Sequence, residues 1–140
     1  MRSLTLILAL VLGGCAGIEA MRQAERSDAE SNIFPANYKS DITALMRTYL
    51  NDPTNVRGAF VTEPAIRPIG GGLNRYSSCL RYNAKKVGGQ YAGSKDNLVI
   101  FSHGKLERLV DRDQRTPESI REQCKDSAFV PFPELERLTR

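Results

Sequence analysis

Fifteen N-terminal residues, MRSLTLILALVLGGC, limit everything that follows. Arg2 gives a short positive start, Leu4 to Leu12 is apolar apart from Thr5, and Leu12-Gly13-Gly14-Cys15 closes the run with small residues. This is the layout of a secretory signal peptide. The nine-residue run Leu4–Leu12 is too short for a membrane-spanning helix, which needs about 20 residues. Residues 1–14 are therefore expected to be removed, and the fold must be built from the rest of a 140-residue chain. That is enough for one domain and excludes a two-domain enzyme of ordinary size.

The Leu, two small residues and Cys at 12–15 resemble the signals of bacterial lipoproteins. The resemblance implies that the Cys15 thiol takes a diacylglyceryl group, that the chain is cut before Cys15, and that the new amine is acylated. Ala16 follows rather than Asp, which within the same resemblance points to the outer membrane, facing the periplasm. Each buried methylene adds about 0.8 kcal/mol, so one acyl chain holds marginally and two or three hold stably. The lipid bilayer is then the first expected partner.

Residues 16–34 carry four acids against two arginines and no aromatic before Phe34. They lack a periodic apolar face, so residues 15–35 are read as a lipidated flexible tether, spanning on the order of 25 Å as a coil. Pro35 marks a boundary, and residues 36–140 are expected to form a single α+β domain in the periplasm. The net charge of +4 conceals a gradient. Residues 16–34 are −2, residues 57–105 are +6 (eight Lys and Arg against Glu63 and Asp96), and residues 106–140 are −1. Such a balance does not suit nucleic acid. The basic middle suits an anionic partner such as peptidoglycan, lipopolysaccharide or an acidic face of an envelope protein complex, or else it is a solvated sheet face.

Within the domain, Asn37 or Ser40 can cap a helix whose apolar stripe is Tyr38, Ile42, Leu45, Met46, Tyr49 and Leu50. Asn51-Asp52-Pro53 stops it. Residues 58–69 read as an edge or irregular strand, because Pro64 and Pro68 cannot donate to a ladder. Gly70-Gly71-Gly72 reads as a turn. Residues 76–85 alternate, with Tyr76, Ser78, Leu80, Tyr82 and Ala84 on one face and Ser77, Cys79, Arg81 and Asn83 on the other. Asn97 to Ser102 is apolar on both faces and should be a central strand. His103-Gly104 then signals a tight hairpin back through Lys105 to Val110. Thr116-Pro117-Glu118 should start a short helix ending at Cys124, and Val130-Pro131-Phe132-Pro133 should be extended before a last helical turn, Glu134 to Leu138. The expected fold is an N-terminal helix packed on a small antiparallel sheet of three to four strands, with one disulfide.

With Cys15 assigned to lipid, Cys79 and Cys124 are an even pair in an exported chain, where disulfides persist. A Cys-x-x-Cys redox pair is missing, and a metal site has only His103 to draw on. A bridge closing the 45-residue separation is worth about 4 kcal/mol in the chain-entropy model.

No zinc spacing, dinucleotide fingerprint, phosphate loop or nucleophile elbow is present, and no cofactor is expected. His103 reads as a turn residue, although Ser102 precedes it. Glu63 or Asp96 offers the carboxylate for an alternative reading, a small hydrolase acting on cell-wall material. The most chemically suggestive group is Arg81, Asn83, Lys85, Lys86, Gln90, Tyr91 and Lys95 around the glycine-rich loop 88–94. These side chains suit a phosphate or carboxylate held by charge-assisted hydrogen bonds, or else a solvent-facing strand and its loop.

The domain resembles small lipoproteins of alphaproteobacterial envelopes. The resemblance lies in Tyr38-Lys39-Ser40-Asp41-Ile42, Tyr49-Leu50-Asn51-Asp52-Pro53, Cys79-Leu80-Arg81-Tyr82-Asn83-Ala84, Gly89-Gln90-Tyr91-Ala92-Gly93-Ser94-Lys95, and Cys124 with Pro131-Phe132-Pro133-Glu134-Leu135-Glu136. It supports the lipoprotein reading and the disulfide, and it brings no catalytic residues with it. The expected role is a non-enzymatic accessory or binding subunit, with an envelope secretion or conjugation apparatus as one setting for it.

Overall fold

A computed structural model of the chain describes residues 14–111 and 119–139. Residues 1–13, with the apolar run, and residues 112–118, with the Thr116 helix start, lie outside the described residues. The chain divides into two units that part between Glu30 and Ser31.

The described part of the first unit is helix α1, Gly14–Ser31, whose last residue belongs to the second unit. Ala, Glu, Met, Arg and Gln dominate it, and these lose little conformational freedom in a helix. Local propensity thus makes a helix where the lack of an apolar face had suggested coil. Side chains from Gly17 to Glu30 are exposed except the partly buried Asp28. At 1.5 Å per residue the helix is about 27 Å long, so its reach is close to that of the expected coil.

The second unit holds α2 (Tyr38–Tyr49), β1 (Asp52–Thr62), β2 (Ala65–Gly70), β3 (Leu73–Lys85), β4 (Lys95–Ser102), β5 (Lys105–Val110), α3 (Ile120–Cys124), β6 (Phe129–Pro131) and α4 (Pro133–Glu136). It is an α+β fold whose sheet runs β5-β4-β3-β1-β6, with β2 also paired to β3, every pair antiparallel. The class is as expected, and among the described residues the sheet is larger, with six strands rather than three or four. The difference comes from the proline-bearing stretch. Pro64 does break it, but into two strands that follow the same edge of β3, Val61 opposite Leu80 and Ala65 opposite Ser77. β1 is then interior, because Val130 and Pro131 add β6 outside it. Only β2, with Pro68, is the expected edge.

The sheet has two covered faces. On the helix face, Ile42 and Met46 of α2 and Phe132, Leu135 and Leu138 around α4 close over Val56, Ala59, Val61, Leu80, Ala84, Val99 and Phe101. The α2 stripe lies as its spacing predicts, with Ile42 and Met46 fully buried and Tyr38 and Leu50 packed at the margin. Asn37 is the N-cap residue without a side-chain cap bond, while Ser40 Oγ donates back to the Asn37 carbonyl at 2.9 Å. On the other face, Cys79, Leu98, Ile100 and Val110 meet Ile120 and Cys124 of α3. Here Cys79 and Cys124 are bonded, their Cα atoms 5.8 Å apart. α3 starts at Ile120, capped by Ser119, whose Oγ accepts the Glu122 N–H at 3.3 Å.

Backbone irregularities have identifiable partners. β1 carries an extra residue between Arg57 (opposite Asn83) and Phe60 (opposite Arg81), at Gly58 with φ +56°. The bulge points the Ala59 N–H away from β3, and Glu136 Oε1 accepts it at 2.8 Å, while the Ala59 carbonyl accepts the Phe132 N–H at 2.8 Å. Thr62 Oγ1 accepts the Cys79 N–H at 2.9 Å inside the sheet. His103 and Gly104, at φ 53° and 73°, make the tight β4–β5 turn. Residues 31–35 strap this end of the domain. The Ser31 carbonyl accepts the His103 N–H at 2.9 Å, and Phe34 packs edge-on to Tyr76 with ring centroids 5.5 Å apart.

Candidate anion-binding surface

β3 aligns Arg81, Asn83 and Lys85 along one face, and the loop after it returns Tyr91 to pair with Lys85. The structure gives these side chains separate tasks. Arg81 is directly opposite Asp96 of β4 and grips it side-on, Nε to Oδ1 at 2.6 Å and Nη2 to Oδ2 at 3.0 Å. Its guanidinium also stacks on Phe129, 4.2 Å from the ring centroid. The hydrogen bond to Asp96 holds the Arg81 pKa above its ordinary value. Arg81 is therefore occupied, and so is Asp96.

Asn83 serves the loop, its Oδ1 accepting the Gly93 N–H at 2.9 Å. Lys85 Nζ lies 3.9 Å from Asp52 Oδ2 and 5.8 Å from the Tyr91 ring centroid. The other cation at Tyr91 is Arg57, whose guanidinium carbon is 4.2 Å from the ring centroid, while the Tyr91 hydroxyl donates to the Asn55 carbonyl at 2.9 Å. Lys86 and Lys95 are exposed and make no ion pair among the described residues. Gln90 contributes its carbonyl to the turn, accepting the Lys86 N–H at 2.8 Å.

The structure thus brings Lys85 and Tyr91 together with Arg57, which the sequence reading did not include. Residue 57 reaches Tyr91 where the β1–β3 register shifts twice, between Asp52 and Arg57 and between Arg57 and Phe60, and spacing carries no sign of that. Lys95 goes the other way. It is opposite Tyr82, so strand alternation puts it on the sheet face away from Arg81.

The carboxylates considered for wall hydrolysis do not converge. Asp96 is held by Arg81, while Glu63 acts on Tyr38, whose hydroxyl is pushed up first by burial and then by Glu63 and Glu134. Ser102 Oγ is 2.9 Å from His103 Nδ1 at the exposed hairpin tip. Cys15 lies within α1, and its side chain is outside the described residues. Among the described residues no cluster of three or more His, Cys, Asp or Glu is placed to hold a metal, and no helix is long and apolar enough to cross a membrane. The chain matches no protein-family model, no curated protein and no solved structure.

Proposed function

We propose that the chain is a bacterial envelope lipoprotein, cut before Cys15 and anchored by acyl chains on it, with the unit from Ser31 onward acting as a non-enzymatic binding or accessory domain on the periplasmic side of the outer membrane. The observation that carries this reading is Leu12-Gly13-Gly14-Cys15 at the end of a nine-residue apolar run. The cysteine pattern supports it. With Cys79 and Cys124 bonded to each other, Cys15 is left for another chemistry, and a structural disulfide suits an exported chain. The exposed helix α1, about 27 Å long, is the stretch of chain that joins Cys15 to the unit from Ser31 onward. The partners that fit are the bilayer through Cys15 and, for the domain, an envelope protein complex or peptidoglycan. The hydrolase alternative gains nothing from the geometry, since Asp96 is spent on Arg81.

Metabolic labelling with an alkyne fatty acid tests the reading. Wild-type chain should carry label and partition into detergent, and Cys15→Ser should lose the label and accumulate as uncut precursor. A soluble, unacylated wild-type chain in the periplasm would overturn it.

A further inference from the structure

The loop after β3 carries an apolar side chain where turns rarely have one. The Lys86 N–H donates to the Gln90 carbonyl at 2.8 Å and the Gly89 N–H donates to the Lys86 carbonyl at 2.9 Å, so residues 87–89 form a closed tip. The base is fixed as well. Lys85 pairs with Tyr91, the Ala92 N–H donates to the Ala84 carbonyl at 2.9 Å, and Asn83 Oδ1 accepts the Gly93 N–H. Gly, Asn, Asp, Pro and Ser are the usual residues of such tips, whereas Val favours strands. Val87 is nevertheless there and 87% exposed, more than any other large apolar side chain among the described residues. A single exposed valine is ordinary.

Its setting is not. Lys86 precedes it and is exposed. At the base of the loop, Arg57 lies 4.2 Å and Lys85 5.8 Å from the Tyr91 ring centroid. Exposed Lys95 opens β4 where the loop ends, and residues 86–94 contain no acid. The acids at this end of β3 are already engaged. Asp96 is held by Arg81, and Asp52 accepts from the Thr54 N–H and hydroxyl besides facing Lys85. The tip is therefore an apolar point on a basic base.

We propose that loop 86–94 docks on an anionic lipid bilayer, with Val87 entering the headgroup layer and Arg57, Lys85, Lys86 and Lys95 lying against lipid phosphates. A bilayer presents negative charge at its surface and an apolar medium behind it, so it satisfies both features of the loop at once. A soluble anion or an acidic polymer answers the charge and leaves Val87 in water. The hydrogen bonds across the loop hold the tip out before contact, so little ordering is needed on docking. The loop follows the end of β3 away from Asn74, where Asn32 Nδ2 ties the incoming chain to the domain at 3.1 Å. It is a second membrane contact, made by the domain itself, and does not rest on the anchoring reading.

Vesicle binding by the mature full chain carrying Cys15→Ser, which has no acyl chain, tests this. Phosphatidylcholine vesicles and equimolar phosphatidylcholine–phosphatidylglycerol vesicles are compared by sedimentation. The chain should bind the anionic vesicles at low salt, leave them as salt rises, and ignore the neutral ones. Lys86→Gln should weaken binding about fivefold, the share of one cation at an anionic surface, and Val87→Asp at least as much, both with unchanged circular dichroism because the side chains are exposed. The sequence has no tryptophan, so Val87→Trp places a single emitter at the tip. Its emission should shift to the blue and be quenched by phosphatidylglycerol brominated on its acyl chains, whereas Ile66→Trp, opposite Tyr76 toward the other end of β3, should show neither. Equal binding to the two vesicles, or none to the anionic ones, overturns the proposal, as does undiminished binding by folded Lys86→Gln or Val87→Asp chains. Binding to soluble polyglutamate, with the tryptophan at 87 unquenched on vesicles, assigns the loop to an acidic polymer and overturns it too. Acylation has no part in the assay, so its failure and a failure of the fatty-acid labelling are separate results.

Discussion

The two faces of the sheet are held by different physics. The helix face buries Phe132, Phe101, Leu80, Ile42, Met46 and Leu135 completely, and two helices contribute to it. Among the described residues the disulfide face has six buried members, two of which are the bonded cysteines, under a helix of five residues. A helix that short is not stable on its own in water. The comparison teaches that apolar area suffices on one face, whereas on the other, among the described residues, a covalent tie adds to a smaller apolar cluster.

The largest effect should come from cutting into the helix face. Phe132→Ala removes a fully buried ring that bridges β1 and α4, and should lower the unfolding free energy by about 3–5 kcal/mol in urea titration. Cys79→Ser with Cys124→Ser should cost about 2–5 kcal/mol, near the 4 kcal/mol of the chain-entropy model. The comparison predicts where that loss falls. Amide exchange should accelerate first at residues 120–129 and last along α2, and uniform acceleration would show that the two faces do not separate.

Smaller changes sharpen the contrast. Glu136→Ala leaves the buried Ala59 N–H without its acceptor and should cost about 1–3 kcal/mol in the same titration. Alkaline pH should act on the helix face. The Tyr82 hydroxyl is pushed well above its ordinary 10.0 by burial, then by Tyr49 and Asp111, and Tyr38 shifts the same way. Unfolded chains lose those protons first, so stability holds below pH 10 and falls above it, by up to about 1.4 kcal/mol per pH unit for one group. Tyr82→Phe should flatten that decline, and an unchanged slope would remove Tyr82 from the account. The smallest effect belongs to Arg81 and Asp96. Their side chains are 39% and 20% exposed, so a double-mutant cycle should return no more than about 1 kcal/mol.

Elements with a local cause were legible in the sequence. The α2 stripe, the His103-Gly104 turn, the two-sided apolar β4 and the Cys79–Cys124 pairing all follow from neighbouring residues or from counting. What escaped depends on partners far along the chain. Pro64 and Pro68 suggested an edge, yet β1 became interior because residues 129–131 lie against it. Arg57 joined Tyr91 through a register shift, and Arg81 was claimed by Asp96 because β4 happens to place an acid directly opposite. The basic cluster was visible as composition, while its division into a paired arginine, a loop brace and a stacked tyrosine was not. α1 was missed for a different reason. The missing apolar stripe outweighed a favourable run of helix formers, though only docking requires the stripe.

The bond between Cys79 and Cys124 also sets what a protease can do. It joins the strand at the middle of the sheet to the end of α3, and the 44 residues between them, including β4 and β5, form a closed ring. One peptide cleavage anywhere in that ring yields a two-chain molecule of unchanged mass apart from one added water, separable only after reduction. One cleavage outside the ring leaves a fragment with no covalent tie, which comes away on unfolding without reduction, so the same nick has opposite fates on the two sides of Cys79.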